Sequence, residues 1–231
     1  MLKFILVILL FETYLAQKAD DVSCPKVAFD YIDLSLNWAP GLCALKKCRP
    51  FQSKWSIHGM WPQNQHGRHP ESCCKNRYLN ENVIRKLYPD LKENWLTLFG
   101  NEKRFWQHEW EKHGTCSFAT KKLQGQENYF SNTLQLFKTL HVSTWLAKHS
   151  ITPQPLGPKS SYQLEQIRGA IRTGYGKRVR FACGLLKDNH SNEISILQEI
   201  HFCFDKASLV AVDCLRNDDI ECGKNNVHYL N

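Results

Sequence analysis

The sequence contains no internal repeat and no low-complexity tract, and after its first twenty residues no apolar run approaches the length of a membrane span. About 20 consecutive apolar residues are needed to cross a bilayer. Of the 231 residues, 42% are hydrophobic, 12% aromatic and 23% charged, which argues against a disordered chain or a coiled coil. The composition is that of a globular protein, and the length is that of about one domain.

Acidic residues are in short supply. The 22 Asp and Glu residues face 30 Lys and Arg residues, which gives a net charge of +8 with His neutral. Such a surplus favours polyanionic partners such as nucleic acid or an anionic surface. Charge alone does not choose between them.

The first nineteen residues resemble a secretory signal peptide. After a basic start, residues 4–11 (FILVILLF) form an unbroken apolar run, and the small residues Ala16 and Ala19 follow as cleavage edges. The run is too short to span a bilayer. We therefore expect residues 1–19 to be removed by cleavage near these alanines, and residues 20–231 to form a secreted, soluble, single-domain protein.

Secretion determines how the ten cysteines and the one N-x-S/T sequon are interpreted. In a secreted chain of this length, ten cysteines predict a disulfide framework. No pair of CxxC knuckles has metal-ligand spacing, which argues against structural zinc. The sequon begins at Asn189, in a polar stretch between predicted strands, and predicts a glycosylation site.

Strand patterns open and close the chain, and helical patterns fill its middle. Residues 31–38 alternate in polarity, which predicts a strand with one buried face that ends in a turn at Ala39-Pro40-Gly41. Four more strands are predicted at residues 54–61, 178–186, 194–204 and 209–214. Apolar spacing predicts helices near residues 83–91, 102–112, 130–140 and 164–171, the last capped by Ser161. Because strands bracket the helices, we predict an α+β fold with an antiparallel sheet core packed with several helices.

The densest chemistry lies in residues 105–116 (FWQHEWEKHGTC). On a helix of about 100° per residue, one face presents two imidazoles, a carboxylate, an ammonium group and an aromatic ring. They belong to His108, His113, Glu109, Lys112 and Phe105. Gly114 then predicts the end of the helix.

Two simpler interpretations of this segment are weaker. A solvated helix would need only an i,i+3 pair of Glu109 and Lys112, but the segment also holds two Trp and one Phe, and burying ionisable groups among aromatic rings is costly unless they serve a site. A metalloprotease HExxH motif places its imidazoles four residues apart. His108 and His113 are five apart and diverge by about 140° on a helix, which disfavours metal ligation.

A second cluster is WSIHGMWP, residues 55–62. Gly59 beside His58 allows another group to approach the backbone closely. A lone histidine on a strand is more often structural than catalytic. A strand histidine together with a helix histidine is the pair that acid–base catalysis at phosphorus requires.

Both segments resemble the two active-site segments of the ribonuclease T2 family. Residues 29–40 (FDYIDLSLNWAP), followed by Cys43, resemble that family's first core strand, so the resemblance covers nearly the whole mature chain. It implies a disulfide-stabilised T2-type α+β fold. The basic charge and secretion resemble the plant S-ribonucleases, the style proteins of gametophytic self-incompatibility.

The resemblance implies a two-histidine mechanism. His113 would take the proton from a ribose 2′-OH as general base, and His58 would protonate the 5′-oxygen leaving group as general acid. The product is a 2′,3′-cyclic phosphate, which the same pair hydrolyses to a 3′-phosphate. Lys112 and Glu109 would stabilise the pentacovalent phosphorus.

The resemblance also implies the substrate contacts. His108 would bind phosphate, Phe105 and Trp106 would wall the site and stack on a base, and Asn37 would help hold a base. Leu96 stands where relatives often carry Pro, so base preference stays open. The implied substrate is single-stranded RNA and not DNA, with no metal or other cofactor, and the protein is expected to be a monomer.

Three disulfides are implied directly, namely Cys43–Cys48, Cys203–Cys214 and Cys183–Cys222. A fourth would join Cys116 to Cys73 or Cys74, leaving the other to meet Cys24. The sequence does not choose between the adjacent cysteines.

Alternatives to self-incompatibility are a T2 ribonuclease of defence or phosphate scavenging, and a catalytically silent secreted binding protein on this scaffold. Self-incompatibility additionally implies a pollen-side protein partner. His66 and His69 lie in a hydrophilic stretch and are expected to be exposed loop residues without a direct role. No function is assigned to His141, His149, His190, His201 or His228.

Overall fold

The computed structural model describes residues 24–157, 160–187, 192–216, 219–222 and 226–231. The predicted signal peptide and the sequon at Asn189 lie outside these residues. In the part of the chain that is described, no helix is long and apolar enough to cross a membrane.

The described strands form one seven-stranded sheet around the long strand β5 (Glu193–Asp205). Strand β1 (Tyr31–Trp38) lies between β5 and β2 (Trp55–Gln63) and runs antiparallel to both. Strand β4 (Arg180–Lys187) pairs with the other edge of β5. The short strands are β3 (Ser161–Gln163), β6 (Ala211–Val212) and β7 (Asn226–His228). The predicted α+β class is confirmed, but the sheet is mixed, because β7 pairs with β5 in parallel.

Seven helices are present among the described residues. They are α1 (Ala39–Cys43), α2 (Glu81–Ile84), α3 (Tyr88–Asn94), α4 (Glu102–Lys112), α5 (Gln126–Lys138), α6 (Val142–Ala147) and α7 (Leu164–Tyr175). Short 3-10 turns occupy Arg85–Leu87, Gly114–Ala119 and Lys121–Leu123. Helix α4 has the predicted bounds, and the Asn101 side chain caps it by accepting from the backbone N–H of Arg104.

Three local predictions about the helices were wrong. The helix predicted near residues 83–91 is divided, and a new helix, α3, begins just before Pro89. A proline fits in the first turn of a helix, where its missing N–H is tolerated, but not in the interior of a longer one. Helix α7 is capped by Gln163 in a capping box with Gln166, while Ser161 belongs to β3. The expected turn at Ala39-Pro40-Gly41 is the first turn of α1.

Strand β1 is buried on both faces, not on one as predicted. Its apolar residues lie in the main core, and its polar residues Asp33, Ser35 and Asn37 are also at most 8% exposed. Ser35 is opposite His201 on β5, and His201 is opposite Arg180 on β4, so polar groups from three strands share one face of the sheet. This buried polar face is where the candidate site lies.

The structure contains all three disulfides that the resemblance implies directly. It also chooses between the adjacent cysteines: Cys73 pairs with Cys116, and Cys74 pairs with Cys24. The first of these two bonds ties the loop before residue 73 to the segment that follows α4.

Candidate active site

His58 lies in the middle of β2, where its ring is 31% exposed. Its backbone oxygen accepts a hydrogen bond from the Trp95 indole at 2.8 Å, and its Nδ1 lies 3.1 Å from Oε1 of Glu199 on β5. Burial lowers the pKa of His58, but the charge and hydrogen bond of Glu199, with Glu109 beyond, outweigh it and raise the pKa above its ordinary value. The site therefore favours a protonated His58.

Gly59 leaves room for the Glu109 carboxylate against the strand, as its position beside His58 predicted. A Cβ atom at Gly59 would collide with Oε2 of Glu109 and with the Trp61 indole. The Trp61 Nε1 donates to Oε2 of Glu109 at 2.9 Å. Burial raises the pKa of the Glu109 carboxyl group to about 7.

His113 is the first residue after α4, and its buried ring packs against the Trp61 indole, which also contacts the His58 ring. The Trp61 ring centroid is 5.1 Å from the His113 ring and 4.9 Å from the His58 ring. Burial, followed by the charge of Lys112, lowers the pKa of His113 to about 2. Its Nδ1 is buried and has no hydrogen-bond partner among the described residues. The site therefore favours a neutral His113 imidazole.

Lys112 contacts an acidic residue that the sequence analysis did not consider. Its Nζ lies 3.3 Å from Oε1 of Glu71, and the same oxygen is 2.7 Å from Nε2 of His69. The His69 ring is half-buried and 6.3 Å from that of His113. His69 lies in a loop as predicted but is half-buried instead of exposed, whereas His66 is exposed as expected.

One hydrogen bond and one disulfide explain why the loop that carries His69 and Glu71 lies beside Lys112. The Ser72 N–H donates to the Lys112 oxygen at 2.7 Å, and the Cys73–Cys116 disulfide follows directly. Together they hold the loop against the end of α4. The sequence pattern of a polar loop does not reveal such restraints.

His108, Glu109 and His113 form a cluster that could hold a metal ion, since each offers a ligand atom within 4.8 Å of the others. The two imidazoles were predicted to diverge too far to share a ligand, and this was wrong, because their ring nitrogens come within 4.8 Å of each other and of a Glu109 oxygen. His108 is exposed, with its ring 6.4 Å from that of His113. Burial and the neighbouring Lys112 lower the pKa of His108.

A cleft of about 670 Å³ opens beside His58. Phe105 forms one wall, with its ring stacked 6.1 Å from the His58 ring. Asn37 lies at the base, buried, and its Oδ1 has no hydrogen-bond partner among the described residues. The cleft is also lined by Thr97, Leu96, Lys46 and Arg104. An aromatic wall and an unpartnered amide oxygen suit a flat, hydrogen-bonding ligand such as a nucleobase.

Trp106 does not face this cleft, so its prediction as a wall of the site was wrong. It is 1% exposed, and its Nε1 donates to the backbone oxygen of Trp95 at 2.7 Å. Trp95 in turn donates to the backbone oxygen of His58. The two indoles thus connect α4 to the strand that carries His58.

Trp61, Glu199 and His201 were not predicted as site residues from the sequence. Glu199 contacts both His58 and His201, and His201 is buried in β5. The available signal is the stretch LQEIHFCF, in which two ionisable residues alternate with apolar ones inside a long apolar strand. Ionisable residues at such positions are buried and must have partners.

Known proteins resemble this chain in both sequence and fold. The ribonuclease T2 family pattern matches residues 29–214. The chain is 30% identical over 204 residues to the extracellular ribonuclease LE of Solanum lycopersicum, covering 84% of each chain. The structure of RNase NT in complex with 5′-AMP aligns with a TM-score of 0.76 and 28% identity, covering 88% of this chain and 99% of that one.

The fold also matches the self-incompatibility-associated SF11-RNase of Nicotiana alata, with a TM-score of 0.71 and 24% identity over 88% of this chain and 100% of that one. The family match spans most of the sheet and both histidine segments. The chain therefore belongs to the ribonuclease T2 family and is a T2-type endoribonuclease.

Proposed function

We propose that the protein cleaves single-stranded RNA by metal-independent acid–base transphosphorylation, with His113 as general base and His58 as general acid. The observation that carries this proposal is that two imidazoles contact the same Trp61 ring and have opposite protonation preferences. Because the pKa of His113 is lowered, its imidazole is unprotonated and can accept the proton of a ribose 2′-OH. Because the pKa of His58 is raised, its imidazole keeps a proton that it can give to the leaving 5′-oxygen.

The bonds change in two steps. The 2′-oxygen forms a bond to phosphorus as the bond to the 5′-oxygen breaks, which gives a 2′,3′-cyclic phosphate and a 5′-hydroxyl end. Water then opens the ring with the two histidines in reversed roles, leaving a 3′-phosphate. DNA lacks the attacking 2′-hydroxyl and is not a substrate.

Lys112 and Glu109 stabilise the pentacovalent phosphorus in this proposal. The Lys112 ammonium offsets its negative charge. Glu109, with a pKa of about 7, carries a proton in part of the population at neutral pH and can then donate to a phosphoryl oxygen. His108 binds a flanking phosphate, while Phe105 and Asn37 hold a base in the cleft.

The test is cleavage of single-stranded RNA by the oxidised protein in excess EDTA from about pH 4 to pH 9, with DNA as control substrate. We expect RNA-only cleavage that ends in cyclic phosphates and falls about 10²- to 10⁴-fold in each of His58→Ala and His113→Ala. The matched variant His66→Ala removes an exposed imidazole and should leave activity unchanged.

Two results would contradict the proposal. A folded protein without activity would indicate a silent binding scaffold. Activity that EDTA abolishes and a divalent ion restores would assign the His108, Glu109 and His113 cluster to a metal.

We further propose that residues 1–19 are a signal peptide and that residues 20–231 form a secreted, monomeric, single-domain protein glycosylated at Asn189. Five disulfides among the described residues support an oxidising compartment, and a relative is named as extracellular. N-terminal sequencing and size exclusion of protein from the culture medium test this, with Asn189→Gln as the glycosylation control. Retention of residues 1–19 would refute cleavage.

For the biological role we propose an S-ribonuclease of gametophytic self-incompatibility that meets a pollen-side protein. The basic charge supports this role. The similarity to an extracellular ribonuclease supports the second candidate, a role in defence or phosphate scavenging. Style-restricted expression, and rejection of pollen that is lost in a His113→Asn variant, would favour the first. Expression in roots or wounded leaves would favour the second.

A further inference from the structure

Behind His58, the polar face of the sheet carries charged groups that the proposed mechanism does not use. Glu199 bridges two imidazoles: its Oε1 lies 3.1 Å from Nδ1 of His58, and its Oε2 lies 3.4 Å from Nε2 of His201. The Ser35 hydroxyl also donates to Oε2 at 2.8 Å. Glu199 thus contacts a hydroxyl and two imidazoles, of which His201 forms an ion pair with it.

The row of charged groups continues past His201. Its Nδ1 lies 3.1 Å from both carboxylate oxygens of Asp33, and Nη1 of Arg180 lies 3.6 Å from one of them. Cation and carboxylate therefore alternate over five residues, ending at His58. The side chains of Asp33, His201 and Arg180 are 0%, 3% and 7% exposed.

Strand register places these groups side by side. His201 on β5 is opposite Ser35 on β1 and Arg180 on β4, so their side chains share one face. Buried charges are costly, and replacing a buried ion pair with apolar residues often stabilises a protein. A buried row that ends on a proposed catalytic imidazole therefore points to a role beyond stability.

The charge state of the row follows from its contacts. Burial lowers the pKa of His201, but the charges and hydrogen bonds of Asp33 and Glu199 outweigh it and raise the pKa to about 10. Burial raises the pKa of Glu199, but the charges of His58 and His201 hold it well below its ordinary value. At neutral pH, His201 is an imidazolium and Glu199 a carboxylate.

We propose that His201 is a positioning residue for the general acid: it fixes the Glu199 carboxylate against Nδ1 of His58, so that the opposite ring nitrogen is directed at the leaving oxygen. His201 acts only through Glu199 and does not touch the substrate. The inference rests on the proposed role of His58 as general acid.

Other charged groups also face His58. Helix α4 contributes Glu109, whose charge raises the pKa of His58, and the charge of His58 in turn lowers the pKa of His108 and of His113. Lys46 and Arg104 line the cleft. The test must therefore change His201 alone and measure His58 directly.

The experiment is an NMR titration of the His58 ring in wild type and in His201→Gln, together with the pH profile of kcat/KM. The bare charge of His201 lowers the pKa of His58, so removing a cation alone would raise it. If His201 instead holds Glu199 in place, its removal lets Glu199 move away from His58, and the pKa of His58 falls. We expect the pKa of His58, and the basic limb of the profile, to fall by about one unit, because a close carboxylate is worth one to three units.

Activity below the basic limb should stay within about threefold of wild type, which a general loss of structure would not permit. His228→Gln, which removes a half-buried imidazole from β7, should change neither measurement. The titration requires no catalysis, so a failed ribonuclease mechanism and a failed positioning role give different results. A raised or unchanged His58 pKa in folded His201→Gln would overturn the inference.

A double-mutant cycle tests whether His201 acts through Glu199. Glu199→Gln should lower the His58 pKa, and adding His201→Gln should lower it no further. Additive shifts would contradict the proposal. If His201→Gln does not fold, the wild-type spectrum decides: His201 should keep both ring protons up to about pH 9, and a neutral ring at pH 7 would refute the proposal.

Discussion

Glu109 places a carboxyl group in a buried position over Gly59, and its ionisation there opposes folding. Burial raises the pKa of this group to about 7 from 4.5. The folded protein therefore holds the proton more tightly than the unfolded chain does. The resulting stability is fully present below about pH 4.5 and is lost as the pH rises through 7.

The variant Glu109→Gln removes this titration. Its unfolding free energy should rise relative to wild type between pH 4.5 and 7 and then stay constant, by as much as about 3 kcal/mol, while kcat falls about 10²-fold. Urea denaturation at a series of pH values measures the difference. Glu111→Gln on the same helix is the control, and a difference independent of pH would contradict the explanation.

Phe105 and Trp106 are adjacent aromatic residues with opposite surroundings. Phe105→Ala should raise KM for RNA about 5- to 100-fold, because stacking on a base is worth about 1–3 kcal/mol. Trp106→Phe should leave KM unchanged and lower the unfolding free energy by about 1–3 kcal/mol, since it leaves the buried Trp95 oxygen unpaired. Steady-state kinetics and thermal denaturation of both variants check this. A raised KM in Trp106→Phe would indicate that Trp106 contacts the substrate after all.

Among the secondary structure elements, those with strong local signals could be predicted from the sequence. Helix α4 has an Asn cap, aromatic residues and a lysine at its end, and its predicted bounds agree with the structure. The prediction of one helix near residues 83–91 was wrong because its apolar spacing is regular across Pro89, whereas the fixed backbone of a proline disrupts a helix interior. Strand β1 alternates in polarity, yet its polar face is buried against groups on β5.

The candidate site likewise combines residues that could be predicted from the sequence with residues that could not. His58, Glu109, Lys112 and His113 come from two short segments whose residue types point to acid–base chemistry. Glu199 could not be predicted as a partner of His58, because the two are 141 residues apart and meet only through the order of strands in the sheet. Contacts of this kind depend on topology, which local periodicity does not contain.

The Cys73–Cys116 disulfide ties the loop carrying Glu71 to the end of α4. Replacing both cysteines with Ser should lower the unfolding free energy by about 4 kcal/mol, and replacing Cys43 and Cys48 by about 2 kcal/mol, because the first bond closes the longer loop. The first variant should also lose activity at a temperature where the second remains active. Denaturation and RNA cleavage of the two variants measure this, and equal effects would rule out a loop-specific role.

At the scale of the whole molecule, the net charge of +8 acts on the substrate before any specific contact forms. We expect kcat/KM for long single-stranded RNA to fall as salt rises, with a log–log slope of about −0.7 for each phosphate contacted. A dinucleotide substrate with one phosphate is the control and should show a much shallower slope. Equal slopes would mean that binding is confined to the cleft.

The pairing of the adjacent Cys73 and Cys74 also has a consequence for biosynthesis. In a chain that is secreted as proposed, Cys24, Cys73 and Cys74 would enter the oxidising compartment before Cys116, because the ribosome makes the chain from its N-terminus. An early bond between Cys24 and Cys73 would occupy the thiol that Cys116 needs and would have to be exchanged. The yield of active enzyme would therefore depend on disulfide isomerisation as well as oxidation, and a host that only oxidises thiols would accumulate protein in which α4 lacks its covalent tether.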